Sequence, residues 1–260
     1  MEINPQSLIL EGRKAVLEAL NHEKPIDRIL LRMDGKFEPN RPPAKLEGTL
    51  RLIASKARAA GVVVQEVDRV KLDALSESGH HQGVIALCPA VPYGTVPEIL
   101  QIAEDRGEPP LIIVLDGVTD PHNLGAIIRT AEAGGAHGII IPKRRAVGLT
   151  GTVAKTSAGA ITHLTVARVA NISRTLDELK KAGLWIICAD EGAKSIYETD
   201  FSGPVALVLG AEGEGVSRLV REQSDFVAGI PMLGKISSLN VSVAAGVLIY
   251  EVVRKRLNKG

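Results

Sequence analysis

Leu111-Ile112-Ile113-Val114-Leu115-Asp116-Gly117-Val118-Thr119-Asp120-Pro121-His122-Asn123-Leu124-Gly125-Ala126-Ile127-Ile128-Arg129-Thr130 is the stretch on which the fold class turns. Five aliphatic residues run without a polar break, a polar turn follows, and a helix is expected near Leu124–Ala133. An uninterrupted aliphatic strand has both faces buried, as in a parallel sheet covered by helices on each side. The same alternation continues downstream. Strands are expected at Gly138–Ile141, His163–Val166, Leu184–Ala189, Val205–Leu209 and Phe226–Ile230. Helices are expected near Thr152–Gly159, Ile172–Lys181, Val216–Glu222 and from Asn240 to about Leu257.

Upstream the pattern is different. Residues 8–20 read as a helix, Ile26–Leu31 as a strand and Asp34–Ala44 as a Gly- and Pro-containing loop. Leu46–Ala60 reads as an amphipathic helix closed by Gly61, a residue suited to a C-terminal cap. Val62–Val64, a short helix Leu72–Ser76, a turn Gly79–Gly83 and a strand Val84–Leu87 complete a small α/β unit. Three prolines between Pro89 and Pro97 suggest a linker. The expected division is therefore 1–90, a linker over 91–108, and a parallel-sheet domain over 109–260.

Composition narrows the function classes. The net charge is +1, which excludes a strongly basic nucleic-acid coat but leaves room for local basic patches. Aromatic residues are 3% of the chain, so the core must be aliphatic. Cys88 and Cys188 stand far apart beside apolar runs, which fits two buried, reduced thiols in a cytoplasmic chain. No secretory signal opens the sequence, and no apolar run reaches the roughly 18–20 residues needed to cross a bilayer.

Ligands of parallel α/β sheets sit at the carboxyl ends of strands. Three such ends carry unusual polar residues. The first is the turn after Leu115, where Asn123 is an acceptable helix N-cap and Arg129 lies six residues on. Its plainest reading is a cap with an Arg129–Glu132 pair. The second is Leu209-Gly210-Ala211-Glu212-Gly213-Glu214-Gly215, where glycines let backbone approach a ligand closely. Its spacing is not that of a dinucleotide fingerprint, which also counts against a dehydrogenase, and Glu212 would repel phosphate. The plain alternative is a turn with a solvated glutamate. The third runs from Ile230-Pro231-Met232 to Ser238-Leu239-Asn240-Val241-Ser242. It follows a near-match to a phosphate loop that fails because Ile236 stands where Ser or Thr must follow Lys235. Ser238 and Asn240 compete for the N-cap of the last helix, which only one can occupy. Serines here lack the setting of a hydrolase nucleophile. His80-His81 lacks metal-ligand partners and reads as a turn or an RNA contact. Lys143-Arg144-Arg145 is the clearest basic cluster and suits phosphate contact or a solvated loop.

Taken together, Asn123-x5-Arg129, Gly210-x-Glu212-x2-Gly215 and Pro231-x6-Ser238-Leu239-Asn240-Val241-Ser242 resemble, in order, the three motifs of the SpoU (TrmH-like) RNA ribose 2′-O-methyltransferases. The resemblance spans roughly residues 111–256. Glu11-Gly12-Arg13 and His81-Gln82-Gly83 are similar to the substrate-binding domain of that family. The resemblance is strongest to members that modify a guanosine in the peptidyl-transferase region of 23S rRNA. It implies a SPOUT fold with a deep trefoil knot, which general topology rules would exclude. It also implies S-adenosylmethionine as cofactor, ribosomal RNA as partner, a homodimer, and neither a metal nor a membrane.

By the same resemblance, Leu209, Gly210, Ile230, Met232 and Leu239 fall where the family contacts its cofactor, much of it through backbone. Arg129, Asn123, Glu212, Ser238 and Asn240 are the implied catalytic set. The reaction is attack of a ribose 2′-oxygen on a sulfonium methyl, which needs alignment within about 3–3.5 Å. A guanidinium stays protonated, so Arg129 is expected to bind phosphate and stabilise the developing alkoxide, with a role as base left open. Asn123 is expected to orient Arg129 or the ribose. Glu212, Ser238 and Asn240 are expected to hold the knot loops and align the substrate, with Glu212 alternatively a base. The rival readings are a tRNA guanosine 2′-O-methyltransferase, a thiostrepton-resistance type adenosine methyltransferase, and a non-catalytic rRNA-binding assembly factor.

Overall fold

Period-two alternation builds the first unit. A computed structural model describes residues 9–32, 48–211 and 213–258. The expected loop Asp34–Ala44 and Glu212 therefore lie outside the described residues. The chain separates into two units, Met1–Pro92 and Tyr93–Gly260.

In the first unit, β1 (Ile9–Glu11), β2 (Arg28–Arg32), β3 (Val63–Val67) and β4 (Val84–Leu87) form a sheet in the order β1-β4-β2-β3. β4 runs antiparallel to both β1 and β2, and β2 runs parallel to β3. Ile29, Leu31, Val84 and Ala86 face α1 (Arg13–Asn21) and α2 (Gly48–Ala59), burying Val16, Ile53 and Ala57. Leu30 and Ile85 point the other way, onto Leu72 of α3 (Arg69–Leu75). Ile9–Glu11, expected as the start of a helix, is instead a strand, because its backbone completes the edge of β4 and the helix begins only after Gly12 (φ 87°).

The second unit has a six-stranded sheet in the order β10-β8-β9-β5-β6-β7, and every pairing in it is parallel. Its strands are β5 (Leu111–Asp116), β6 (Gly138–Pro142), β7 (Thr165–Val169), β8 (Trp185–Ser195), β9 (Val205–Gly210) and β10 (Phe226–Gly229). Leu111 to Leu115 are all buried, as the aliphatic run demands. One face packs on α4 (Val96–Arg106), α7 (Ile172–Lys181) and α8 (Arg218–Glu222) through Val96, Ile99, Leu176, Leu179 and Val220. α5 (Pro121–Ala133) packs on α6 (Gly151–Thr156) and on α9 (Val241–Leu257). Residues 96–106, within the expected linker, are helical. Thr95 and Glu98 form a capping box there, and Pro97 sits in the first turn, where a missing N–H costs nothing.

Both cysteines are free thiols; Cys188 is fully buried and Cys88 only half-buried. No helix among the described residues is long and apolar enough to cross a membrane.

Candidate functional site

Strand order fixes where a site can form. β5 and β9 are neighbours, yet the chain leaves β5 toward β6 on one side and leaves β9 toward β10 on the other. Such a reversal opens a crevice at the carboxyl ends of the two strands. There Asp116 pairs in register with Gly210, so the first and second polar blocks meet. Asp116 Oδ2 also accepts the Ser217 N–H at 2.9 Å.

The glycine-rich block is a closed turn. Ala211 and Gly215 exchange backbone hydrogen bonds at 3.1 and 2.9 Å. This brings Gly215 onto Gly210 so closely that a Cβ at Gly210 would lie 1.9 Å from the Gly215 carbonyl carbon. The turn leaves the backbone of 209–211 facing a cleft.

The third block joins the first through two amides. Asn240 caps α9, its Oδ1 accepting the N–H of Ser242 at 2.9 Å and of Val243 at 3.4 Å. The Ser242 hydroxyl donates to the same oxygen at 2.6 Å. The competition for this cap therefore falls to Asn240, and Ser238 stays exposed. With its oxygen committed, Asn240 turns its Nδ2 to Asn123 Oδ1 and donates at 3.0 Å. Asn123 is not the cap of α5. Asp120 takes that position, accepting the His122 N–H at 3.0 Å, and Pro121 sets the first helical φ. Asn123 thus lies inside the first turn, 7% exposed, with its side chain turned to Asn240.

Arg129 is exposed on α5, about a third of a helical turn around the axis from Asn123. Among the described residues its side chain has no hydrogen bond or ion pair, so the expected pair with Glu132 does not form. A charged group without an internal partner in the described chain is available to a ligand.

The cleft holds about 740 Å³, within the range of about 300–1,000 Å³ usual for small-molecule sites. Leu209, Gly210, Ile230, Met232 and Leu239 all line it, and Ser238 and Asn240 stand on the same wall. Asn123 reaches this wall through Asn240, and Arg129 is not part of it. Ala189, Asp190 and Glu191 also line the cleft, and sequence reasoning missed them. They lie midway along β8, in the irregular stretch where the register with β10 jumps from Cys188 to Lys194. The available signal was the acidic pair directly after the expected strand end at Ala189. Asp190 is held by an ion pair with Arg221.

The basic cluster follows β6 and is tied to the first polar turn, since the Val147 N–H donates to the Val118 carbonyl at 3.0 Å. Arg145 adopts a left-handed φ of 57° there, and Arg168, over the Tyr93 ring, donates to the Lys143 carbonyl. Burial pushes the Cys188 thiol up to about 11, so it stays protonated and inert in the interior. His81 is structural: its Nδ1 accepts the Gly83 N–H at 3.0 Å, which leaves Nε2 to donate to Asp73 at 2.9 Å. Among the described residues no cluster of His, Cys, Asp or Glu is arranged to hold a metal ion.

Comparison with known proteins adds to this geometry. Residues 110–250 match the model of the SpoU rRNA Methylase family, and residues 9–94 match that of the RNA 2′-O ribose methyltransferase substrate-binding domain. A putative TrmH family tRNA/rRNA methyltransferase, YacO of Bacillus subtilis, is 45% identical over 246 residues, covering 94% of each chain. The 23S rRNA (guanosine-2′-O-)-methyltransferase RlmB of Ralstonia nicotianae is 45% identical over 254 residues, covering 96% of this chain and 97% of its own. Among solved structures, the SpoU methyltransferase AviRb from Streptomyces viridochromogenes in complex with AdoMet superposes with a TM-score of 0.59 at 26% identity. That match covers 96% of this chain and 90% of AviRb.

Proposed function

The chain belongs to the SpoU rRNA methylase family and is an S-adenosylmethionine-dependent RNA methyltransferase, and from that premise we propose that it methylates the ribose 2′-hydroxyl of a guanosine in the peptidyl-transferase region of 23S rRNA. The observation that carries this reading is the similarity to the Ralstonia 23S rRNA enzyme over 96% of the chain, which includes both units. The first unit, to about residue 90, is then the RNA-binding domain, and residues from about 109 onward are the catalytic domain.

The cleft at the ends of β5 and β9 fits the cofactor. Its floor at 209–211 is partly buried chain shaped by the Gly210–Gly215 contact, and the absence of a side chain at Gly210 suits recognition of an adenosine moiety through N–H and C=O groups. S-adenosylmethionine supplies, when bound, a methyl group on a positively charged sulfur. Leu209, Gly210, Ile230, Met232 and Leu239 bind it and exclude water. Arg129 holds the target phosphate and stabilises negative charge growing on the ribose oxygen, a kind of electrostatic contribution often worth about 10²–10³ in rate. Asn240 and Asn123 lock the returning segment in place, and Ser238 presents a hydroxyl toward the ribose. Glu212, from the glycine-rich block, acts on the same substrate.

Two further features belong to this reading. The segment 230–240 leaves the sheet edge at β10 and returns to Asn123, 117 positions earlier than Asn240. That return path supports a trefoil knot. α9 exposes Val243 (53%), Tyr250 (51%) and Leu257 (77%) at seven-residue spacing, one apolar stripe that supports a homodimer. An rRNA substrate implies work in the cytoplasm.

Mapping 2′-O-methyl groups in rRNA and tRNA from a strain lacking the protein tests the assignment. Loss of one methylated guanosine in 23S rRNA is expected; loss confined to tRNA would replace the substrate. Arg129→Ala is expected to reduce methyl transfer by at least about 10² while cofactor binding persists. Near-normal turnover would remove Arg129 from the catalytic set.

A further inference from the structure

The first unit contains a concavity of about 490 Å³, lined by Arg13, Arg32, Arg69, Asp73, His80 and Gln82. Its guanidinium groups come from three separate elements, the starts of α1 and α3 and the end of β2. Side chains far apart in sequence build it. Glu11 accepts hydrogen bonds from the Ser76 and Ser78 hydroxyls at 2.5 and 2.7 Å, and from the Glu77 N–H at 2.5 Å. The Ser76 and Ser78 oxygens in turn accept the N–H groups of Gly79 and His80. His81 closes the turn through Gly83 and Asp73. Gln82, with a left-handed φ of 51°, accepts the Arg13 N–H with its side chain and the Arg13 Nε with its carbonyl.

These bonds orient what faces the concavity. Arg13 is gripped at Nε, so its two terminal nitrogens point onward with no partner among the described residues. The His80 ring has none either. Among the described residues the one carboxylate on the wall, Asp73, is committed to His81 and Arg69. A bonded loop that presents the Arg13 guanidinium, the 72% exposed Arg69 side chain and the His80 ring is an electropositive cradle, and forked guanidinium donors match phosphate oxygens.

We propose that this concavity is a phosphate subsite for the RNA backbone, with Arg13, Arg69 and His80 as its contact side chains. The inference rests on the reading of the substrate as RNA and adds the place in the first unit that grips it. Phosphate contacts carry no sequence information; they set register. The subsite therefore acts on affinity and leaves the chemistry at the cleft untouched.

The test is the salt dependence of binding between the full chain and a transcript of the peptidyl-transferase region of 23S rRNA. Arg69→Ala is the informative variant, because that side chain is 72% exposed and its removal gives up one ion pair to Asp73 while the His81–Asp73 bond and the Glu11 bonds remain. Removing one phosphate-binding side chain is expected to lower the slope of log affinity against log salt by about 0.7–0.9. Arg69→Ala and His80→Ala should each weaken binding and raise the KM for the transcript. Their kcat, cofactor affinity and thermal unfolding should stay at the wild-type value. Arg69→Lys should restore most of the slope. Unchanged slopes in both alanine variants would overturn the subsite. Titration with GMP separates the two sources of phosphate: saturable GMP binding that disappears in Arg69→Ala would make this a nucleotide site and overturn the RNA assignment. If the wild type binds the transcript but methylates none of it, the proposed substrate fails on its own, and the slopes still decide the subsite.

Discussion

The cofactor cleft of the second unit and the concavity of the first are walled by different materials. In the second unit the cleft floor is backbone, held open because Gly210 and Gly215 touch and because Asn240 is tied to Asn123. In the first unit the wall is side chains, and charged ones, held by a carboxylate, two serines, a histidine and a glutamine. A backbone wall tolerates no added atoms and reads shape. A side-chain wall tolerates substitution and reads charge. The difference suits a cleft without a cationic lining, fit for a positively charged cofactor, on one hand and an anion-gripping surface on the other.

The harshest way to break this contrast is Gly210→Ala. The added Cβ would lie about 2 Å from backbone atoms of Gly215 and Val216, so the turn itself must move. Cofactor binding is expected to fall below detection by calorimetry, and overpacking is expected to cost about 1–3 kcal/mol in denaturant unfolding. A variant with normal cofactor affinity would show that the backbone floor is not the binding surface.

The amide pair sharpens the contrast by a smaller amount. Asn240→Ala removes a helix cap together with the hydrogen bond to Asn123, for an expected loss of about 2 kcal/mol. Asn123→Ala leaves the cap in place and removes the bond, at about 1 kcal/mol. A double-mutant cycle by urea unfolding should therefore return a coupling of about 1 kcal/mol. Strict additivity would mean that the two loops are held by something else.

Acid separates the units more gently. His137 is buried in the second unit, with Nδ1 accepting the Leu111 N–H at 3.0 Å and Nε2 facing Glu108 at 3.1 Å. Burial holds its pKa below the usual 6.5 despite Glu108, so the folded unit keeps it neutral. The unfolded chain binds the extra proton first, and stability is lost as pH falls below about 6.5. Glu11 in the first unit behaves differently. Burial alone would raise its pKa, but the hydrogen bonds from Ser76, Ser78 and the Glu77 and Ser78 N–H groups outweigh that and bring it to about 2. Its contribution is whole above pH 4.5 and is lost as pH falls from 4.5 toward about 2. Hydrogen exchange at stepped pH should show protection in β5 weakening first and protection around Ser76–Ser78 weakening last. Glu11→Gln should erase the second step and leave the first.

Local signals carry much of the fold into view. The aliphatic runs at Leu111–Leu115 and Val205–Leu209 announce a parallel sheet because both of their faces must be buried. The strong amphipathic period of Ile172–Lys181, capped by Asn171, marks that helix at its observed ends. What stays hidden depends on other parts of the chain. Ile9–Glu11 is too short to show a period and is a strand only because β4 lies beside it. The helix Val96–Arg106 is masked by Pro97 and the prolines just before it, although Thr95 and Glu98 spell a capping box. Asn123 has the chemistry of a cap, but Asp120 reaches that position first, and the arrival of Asn240 gives the Asn123 amide its place in the site. Distance in sequence, here 117 positions, defeats any local reading.

That same separation bears on how the protein reaches its working state. Contacts between distant residues form slowly, because loop closure must precede them, and all-parallel sheets consist of little else. The hydrogen bond between Asn240 and Asn123 joins the start of α9 to the first turn of α5, across the strands that separate them in sequence. The cofactor cleft, built from such non-local contacts, is therefore expected to mature late. Appearance of cofactor affinity during refolding is accordingly a clock for completion of the second unit, and it should lag the recovery of helical signal rather than accompany it.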